Sequence, residues 1–359
     1  MFEFLNTWLA NGGFWVAIPL IIVGCAALIK GADFLVDGAS ALAKKYGVSD
    51  IVIGLTVVAF GTSMPEFVVN MVAVGQGSTE IAITNVLGSN IINIFVILGF
   101  TALIFPISSQ KSTRRFDIPF SLLAALLVLL FAIYNSPSWL QIEHIFNMNI
   151  ADPTLSDLGS IQMGQGNGGF ISGVGGSILL IFFLIFLWHN FKGIGSAPQT
   201  ESNEEYKPMS ARRALALIIG GLVGLVVGGE VIVKSATSIA QSLGVSDAII
   251  GLTVVALGTS LPELATSCMA AFKKNCDIAL GNVIGSNLFN IFFILGTSAC
   301  VKALPGYHGL EIDAMMAALG SIFVMLFVYL TKRHEIKRWH GAILLLTYAA
   351  YLAYRIITL

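Results

Sequence analysis

The chain has 359 residues, of which 56% are hydrophobic and only 11% charged, with a formal net charge of −1 and a mean hydropathy of +0.86. A soluble domain carries about 25% charged residues, so this chain has too little polar surface to wrap a water-soluble core. Lipid is its expected solvent, and no nucleic-acid partner is expected. Cys25, Cys268, Cys276 and Cys300 are scattered without metal-ligand spacing and read as small hydrophobes. No cleavable leader is expected, because the first apolar run lacks a basic n-region.

Apolar stretches long enough to cross roughly 30 Å of hydrocarbon are predicted near 13–42, 49–75, 80–105, 117–135, 170–190, 213–241, 246–272, 277–301, 311–331 and 341–358. The first and sixth are long and glycine-containing, which suggests tilt. The odd loops between spans hold fifteen Lys and Arg residues, among them Lys44, Arg114, Arg213, Lys273 and Arg338. The even side and the termini hold only Lys302 and Arg355, and Lys30 and Lys234 fall within spans. This asymmetry puts the odd loops in the cytoplasm and both termini outside, as expected of a multi-pass protein of the plasma (inner) membrane. Residues 136–169 contain Glu143, Asp152 and Asp157 without Lys or Arg and belong outside; residues 191–212 read as a flexible cytoplasmic linker.

Shifted by 197 positions, the sequence aligns with itself. Gly47–Gly99 matches Gly244–Gly296 without a gap, with 30 identities in 53 positions and 16 in the first 20. Each half has five predicted spans, an odd number, so the second copy enters the membrane from the opposite side. The fold expected is an all-α integral membrane protein with ten transmembrane helices in two inverted-topology five-helix repeats, broken at the midplane. The first repeat covers 1–135 with its fifth span at 170–190, and the second covers 213–359. A purely structural repeat would concentrate its identity in apolar positions. Here identity is strongest in Gly-Thr-Ser-x-Pro-Glu and Gly-Ser-Asn-x-x-Asn, which points to chemistry.

Glu66 and Glu263 each lie mid-span. A charged acid there costs roughly 2.5–3.5 kcal/mol on insertion scales and marks a functional site by default. No Lys or Arg lies near either within its span, so a bound cation is the natural partner. Pro65 and Pro262 should break each helix just before its glutamate, leaving free carbonyls around Val58–Thr62 that are tolerated in a membrane only where they line a site. Thr62, Ser63, Thr259 and Ser260 add hydroxyls. The following spans contribute Asn85, Ser89, Asn90 and Asn93, and in the second copy Asn282, Ser286, Asn287 and Asn290. Ser89 and Asn93 share a helix face, as do Ser286 and Asn290. Ser89 and Ser286 read as site residues; Asn90 and Asn287 fit interhelical hydrogen bonding equally well. The donor set is all oxygen, which suits Ca²⁺, Mg²⁺ and Na⁺ and suits Zn²⁺ or copper poorly.

These paired segments resemble the calcium/cation antiporter superfamily, in particular prokaryotic sodium/calcium exchangers, over almost the whole chain. The resemblance implies secondary antiport of Na⁺ against Ca²⁺ by alternating access, with both ions as cargo and no cofactor. It implies Ca²⁺ ligation by Glu66 and Glu263 with Thr62 and Thr259. It implies Na⁺ sites from Ser63, Ser89, Ser260, Ser286 and the carbonyls of Ala59 and Ala256, with Asn93 and Asn290 completing the centre. Several exchangers carry Asp where this chain has Asn290, and that neutrality argues against K⁺ coupling. The alternatives are a Ca²⁺/H⁺ antiporter or a K⁺-dependent exchanger, and beyond them a cation channel. An enzyme is not expected, since there is no nucleophile–base pair, His-Glu-x-x-His motif or Gly-x-x-x-x-Gly-Lys loop.

Overall fold

The computed structural model describes residues 3–134, 171–192, 209–244, 256–307 and 309–358. The acidic loop at 136–169, residues 193–208 of the linker and the start of the seventh predicted span, 245–255, lie outside the described residues.

The described chain is almost entirely helical. Helix α1 runs Glu3–Tyr46. Helices α2 (Asp50–Thr62) and α3 (Met64–Gly75) form a pair bent by 45°. Then follow α4 (Thr79–Ile104), α5 (Lys111–Arg115), α6 (Asp117–Tyr134), α7 (Gly173–Lys192) and α8 (Ala211–Ser242). The second copy continues with α9 (Ala256–Thr259), α10 (Leu261–Phe272), α11 (Cys276–Val301), α12 (Leu310–Leu330) and α13 (Arg338–Thr358). Among the described residues eight helices are long and apolar enough to cross a membrane, or nine with α2 and α3 as one bent span. They follow the predicted spans in order, and the predicted seventh enters the description at Ala256.

Burial separates centre from periphery. The most apolar windows of α4 and α11 are 78% and 94% buried, against 17% for α1 and α13, so the helices that follow the broken segments form the middle of the bundle. Phe120, Phe182, Phe183, Phe289, Phe292 and Phe293 stack around α11, with centroid separations between 4.7 and 5.9 Å, and close its flank against α6 and α7. Both central helices carry a π-helical stretch, Asn93–Leu98 in α4 and Phe289–Leu295 in α11, and α2 has another at Gly54–Val58. The sequence reading did not foresee these. A π-turn inserts one residue into the helical period without changing composition, so hydropathy does not register it.

Helices α1 and α8 pack backbone against backbone. A Cβ added at Gly31 would stand 2.8 Å from the Gly221 carbonyl oxygen, at Gly38 2.7 Å from the Ala214 oxygen, and at Gly228 2.7 Å from the Gly24 oxygen. Only glycine permits this approach.

The loops meet in two groups. At one end Ile107–Ser108 pairs antiparallel with Glu335–Ile336, Gln110 Nε2 donates to Asp277, and Asn275 Nδ2 donates to Asp50 and Ser40. There Lys273, at the end of α10, bridges Asp33 (2.7 Å) and Asp37 (2.5 Å) of α1. At the other end Ile171 pairs with Leu304, and Lys302 approaches Gly77. There too Asp313 accepts from Tyr307 (2.6 Å) and Tyr351 (2.7 Å) and lies 3.5 Å from Arg355. Burial, then the Asp313 charge, hold the Tyr307 phenol well above its usual range, so it stays a donor. Asp313→Ala removes the acceptor these three share and is expected to cost about 3 kcal/mol, read as a lowered unfolding temperature of the detergent-solubilised protein.

Candidate cation site at the broken helices

Both breaks follow from the same dipeptide logic. Ser63 (φ −85°, ψ 7°) and Ser260 (φ −91°, ψ 5°) leave the helical region just before Met64-Pro65 and Leu261-Pro262. Proline fits the first turn of α3 and of α10, where an N–H would lack a partner anyway. Each following helix then starts afresh, with Phe67 N–H donating to the Ser63 carbonyl (3.1 Å) and Leu264 N–H to the Ser260 carbonyl (3.0 Å). Glu66 and Glu263 thus sit in first turns, where the helix dipole favours negative charge. The expectation of free carbonyls needs one correction. Ala59 O accepts from Ser63 N–H (3.0 Å), because Ser63 still has the donor that Pro65 lacks.

The two segments cross-brace each other. Ser63 Oγ donates to Glu263 Oε1 (2.9 Å), and Ser260 Oγ donates to Glu66 Oε1 (3.5 Å). Thr259 lies beside Glu66, and Thr62 and Ser286 lie beside Glu263. The carboxylates are both 1% exposed and near enough to repel each other. Ser89, Asn93 and Asn290 are buried on the neighbouring α4 and α11. Ala59 is buried in the last turn of α2, and Ala256 opens α9. The π stretches begin at Asn93 and one residue before Asn290. Glycine lets α8 cover both segments: Leu222 packs on Gly61 and Val233 on Gly258, where an added methyl would overlap them.

The amides divide into two kinds. Asn90 and Asn287 face each other across α4 and α11, each donating to the other's carbonyl (3.3 and 3.4 Å). Their side-chain oxygens accept from Asn290 (3.1 Å) and Asn93 (3.0 Å) respectively. Interhelical bonding is therefore their role, and it leaves Asn93 Oδ1 and Asn290 Oδ1 as acceptors. Asn85 Nδ2 donates to Asn70 Oδ1 (2.7 Å) and to the Glu66 carbonyl (3.4 Å). Asn282 Nδ2 donates to Ser267 Oγ (2.9 Å) and to the Glu263 carbonyl (3.2 Å). Sequence reasoning passed over Asn70 and Ser267; they occupy equivalent positions, one turn after each glutamate, but differ in identity and so vanish from the repeat.

Six buried oxygens on these segments have no hydrogen-bond partner: Glu66 Oε2, Glu263 Oε2, Thr259 Oγ1, Ser286 Oγ, Asn93 Oδ1 and Asn290 Oδ1. Buried polar atoms are normally satisfied. A concentration of acceptors around two carboxylates suits a hard cation, which takes several oxygen ligands. A cavity of about 340 Å³ approaches from the end bearing Asp313 and Arg355 and reaches Asn85, Gly88 and Thr259.

Known proteins resemble this chain over most of its length. The model of the sodium/calcium exchanger protein family matches residues 16–192 and 213–357. The chain is 33% identical over 351 residues to the sodium/calcium exchanger MaX1 of Methanosarcina acetivorans, covering 93% of this chain and 96% of that one. It is 32% identical over 302 residues to the inner membrane protein YrbG of Escherichia coli, covering 84% and 82%. Its fold superposes on the sodium-calcium exchanger NCX_Mj, in crystals soaked with Na⁺ and Ca²⁺, with a TM-score of 0.74 and 31% identity over 94% of this chain and 98% of that one. This chain, a multi-pass membrane protein, belongs to the sodium/calcium exchanger family.

Proposed function

We propose that this chain is a secondary antiporter that exchanges Na⁺ for Ca²⁺ by alternating access, at one site built from both copies of the repeat. The observation that carries the reading is the crossed pair: two buried glutamates, each braced by a serine of the opposite copy, amid oxygens that lack donors. Two carboxylates neutralise one Ca²⁺ and can equally balance Na⁺ ions, so either cargo removes the penalty of the buried charge. Ca²⁺ is held by Glu66 and Glu263 with Thr62 and Thr259. Na⁺ uses Ser63, Ser89, Ser260, Ser286 and the carbonyls of Ala59 and Ala256. Asn93 and Asn290 complete the centre; their neutrality favours Na⁺ as sole counter-ion over K⁺-dependent exchange.

Opposed contacts support the inverted ten-span arrangement, with one copy at 1–135 and its fifth span at 170–190, and the other at 213–359. Asp50, at the start of α2, meets Asn275 just after α10, while Gly77, just after α3, meets Lys302 just after α11. The grouping of the Lys- and Arg-bearing loops at one end supports a plasma-membrane orientation with that end in the cytoplasm and both termini outside.

The test is ⁴⁵Ca²⁺ uptake into Na⁺-loaded proteoliposomes, beside K⁺-loaded and acid-loaded vesicles. Uptake that requires the outward Na⁺ gradient is the expected result. Uptake driven by the proton gradient alone transfers the protein to H⁺ exchange, and uptake without any counter-ion gradient replaces antiport by a channel.

A further inference from the structure

We infer that Asn282 is a positioning residue that holds ligands from both copies in register, whereas its counterpart Asn85 holds only its own copy. The inference rests on the exchange reading above and assigns unequal work to two residues the repeat makes look equivalent.

Asn282 is fully buried on α11. Its nitrogen faces the Glu263 carbonyl and Ser267 Oγ; a carbonyl only accepts, so the amide orientation is fixed. Both contacts lie in the first two turns of α10 and pin Glu263 there. That leaves the amide oxygen pointing across the repeat boundary, where it accepts from Thr62 Oγ1 at 3.1 Å. A hydroxyl can ligate a cation only through its lone pairs, so its proton must go elsewhere. Asn282 takes that proton, with the Ala59 carbonyl as a longer alternative at 3.3 Å. Thr62 is thereby oriented with its lone pairs available beside Glu263.

The other copy lacks this arrangement. Asn85 is anchored by Asn70 and reaches the Glu66 carbonyl at 3.4 Å. Asn70 is itself held by the Ala82 carbonyl (3.0 Å) and Ser298 (3.3 Å). Thr259 Oγ1 makes no hydrogen bond, and Thr259 and Asn85 both line the 340 Å³ cavity with Thr259 half-buried, where Thr62 is fully buried. One threonine is pre-oriented by an amide; the other has a buried hydroxyl with no amide to orient it.

The test measures half-saturation for Ca²⁺ in Na⁺-loaded proteoliposomes, together with the Ca²⁺ concentration that half-maximally raises the unfolding temperature in detergent. Loss of a buried hydrogen-bonding partner predicts that Asn282→Ala raises both by about tenfold, with maximal rate changed less than about threefold, and Asn85→Ala by only about twofold. Ser267→Ala, a milder change that removes one anchor of the amide, raises both by about threefold and carries the test if Asn282→Ala does not fold. Equal shifts in the two Asn variants, an unshifted Asn282→Ala (or, in its place, an unshifted Ser267→Ala), or a loss confined to maximal rate would overturn the inference. A wild type stabilised by Ca²⁺ but lacking Na⁺-driven uptake overturns the exchange reading alone, and one neither stabilised nor active overturns both.

Discussion

Glu66→Gln and Glu263→Gln each abolish Na⁺-gradient-driven ⁴⁵Ca²⁺ uptake. Glutamine keeps the shape of the side chain and its bond from serine, so each variant folds; what it loses is charge. With one carboxylate left, a divalent cation enters a buried site with an uncompensated charge. Breaking a buried charge match costs about 3 kcal/mol or more, and each 1.4 kcal/mol or so is a factor of ten. Ca²⁺ affinity should therefore fall at least about 100-fold, to background uptake at micromolar Ca²⁺. Retained uptake in both variants would remove these glutamates from the site.

Substitutions at Gly31 give the second large effect, and it is structural. Because an added Cβ meets backbone atoms of Gly221 and Leu225, both at 2.8 Å, neither side can yield by a rotamer change. Gly31→Ala is expected to cost about 1–3 kcal/mol by overpacking, despite the better helix propensity of alanine. Gly31→Leu should eliminate folded protein altogether. Gly220→Ala is the control: nothing lies within 4 Å of its added Cβ, and alanine gains about 0.5–1 kcal/mol over glycine in a helix. Opposite signs of the change in unfolding temperature for the two Gly→Ala variants check the argument. A Gly31→Ala variant no less stable than wild type would mean that α1 and α8 do not meet through Gly31.

Features that depend on residue type alone were legible in the sequence. Pro65 and Pro262 announce the breaks because no other residue lacks the donor, and Glu66 and Glu263 announce the centre because few reasons exist to place an acid in hydrocarbon. What depends on pairing was not. Asn90 and Asn287 were left open because an amide in a span fits both a site and a helix contact; only their mutual geometry decides. Asn282 was visible as a polar residue, but its contact with Thr62 crosses 220 positions and no local pattern encodes it. The π stretches escaped because the inserted residues are as apolar as their neighbours.

The close contact of α1 and α8 has a mechanical consequence. Helices that interlock through side chains can shear by stepping ridges over grooves. These two touch along carbonyls and amides at Gly24, Gly31 and Gly38 on one side and at Ala214, Gly221 and Gly228 on the other, which leaves no soft layer between them. They form a twin strut in which the two backbones are in direct contact. A shift of either helix then carries its neighbour along, and the pair moves as a single rod rather than as two sliding surfaces.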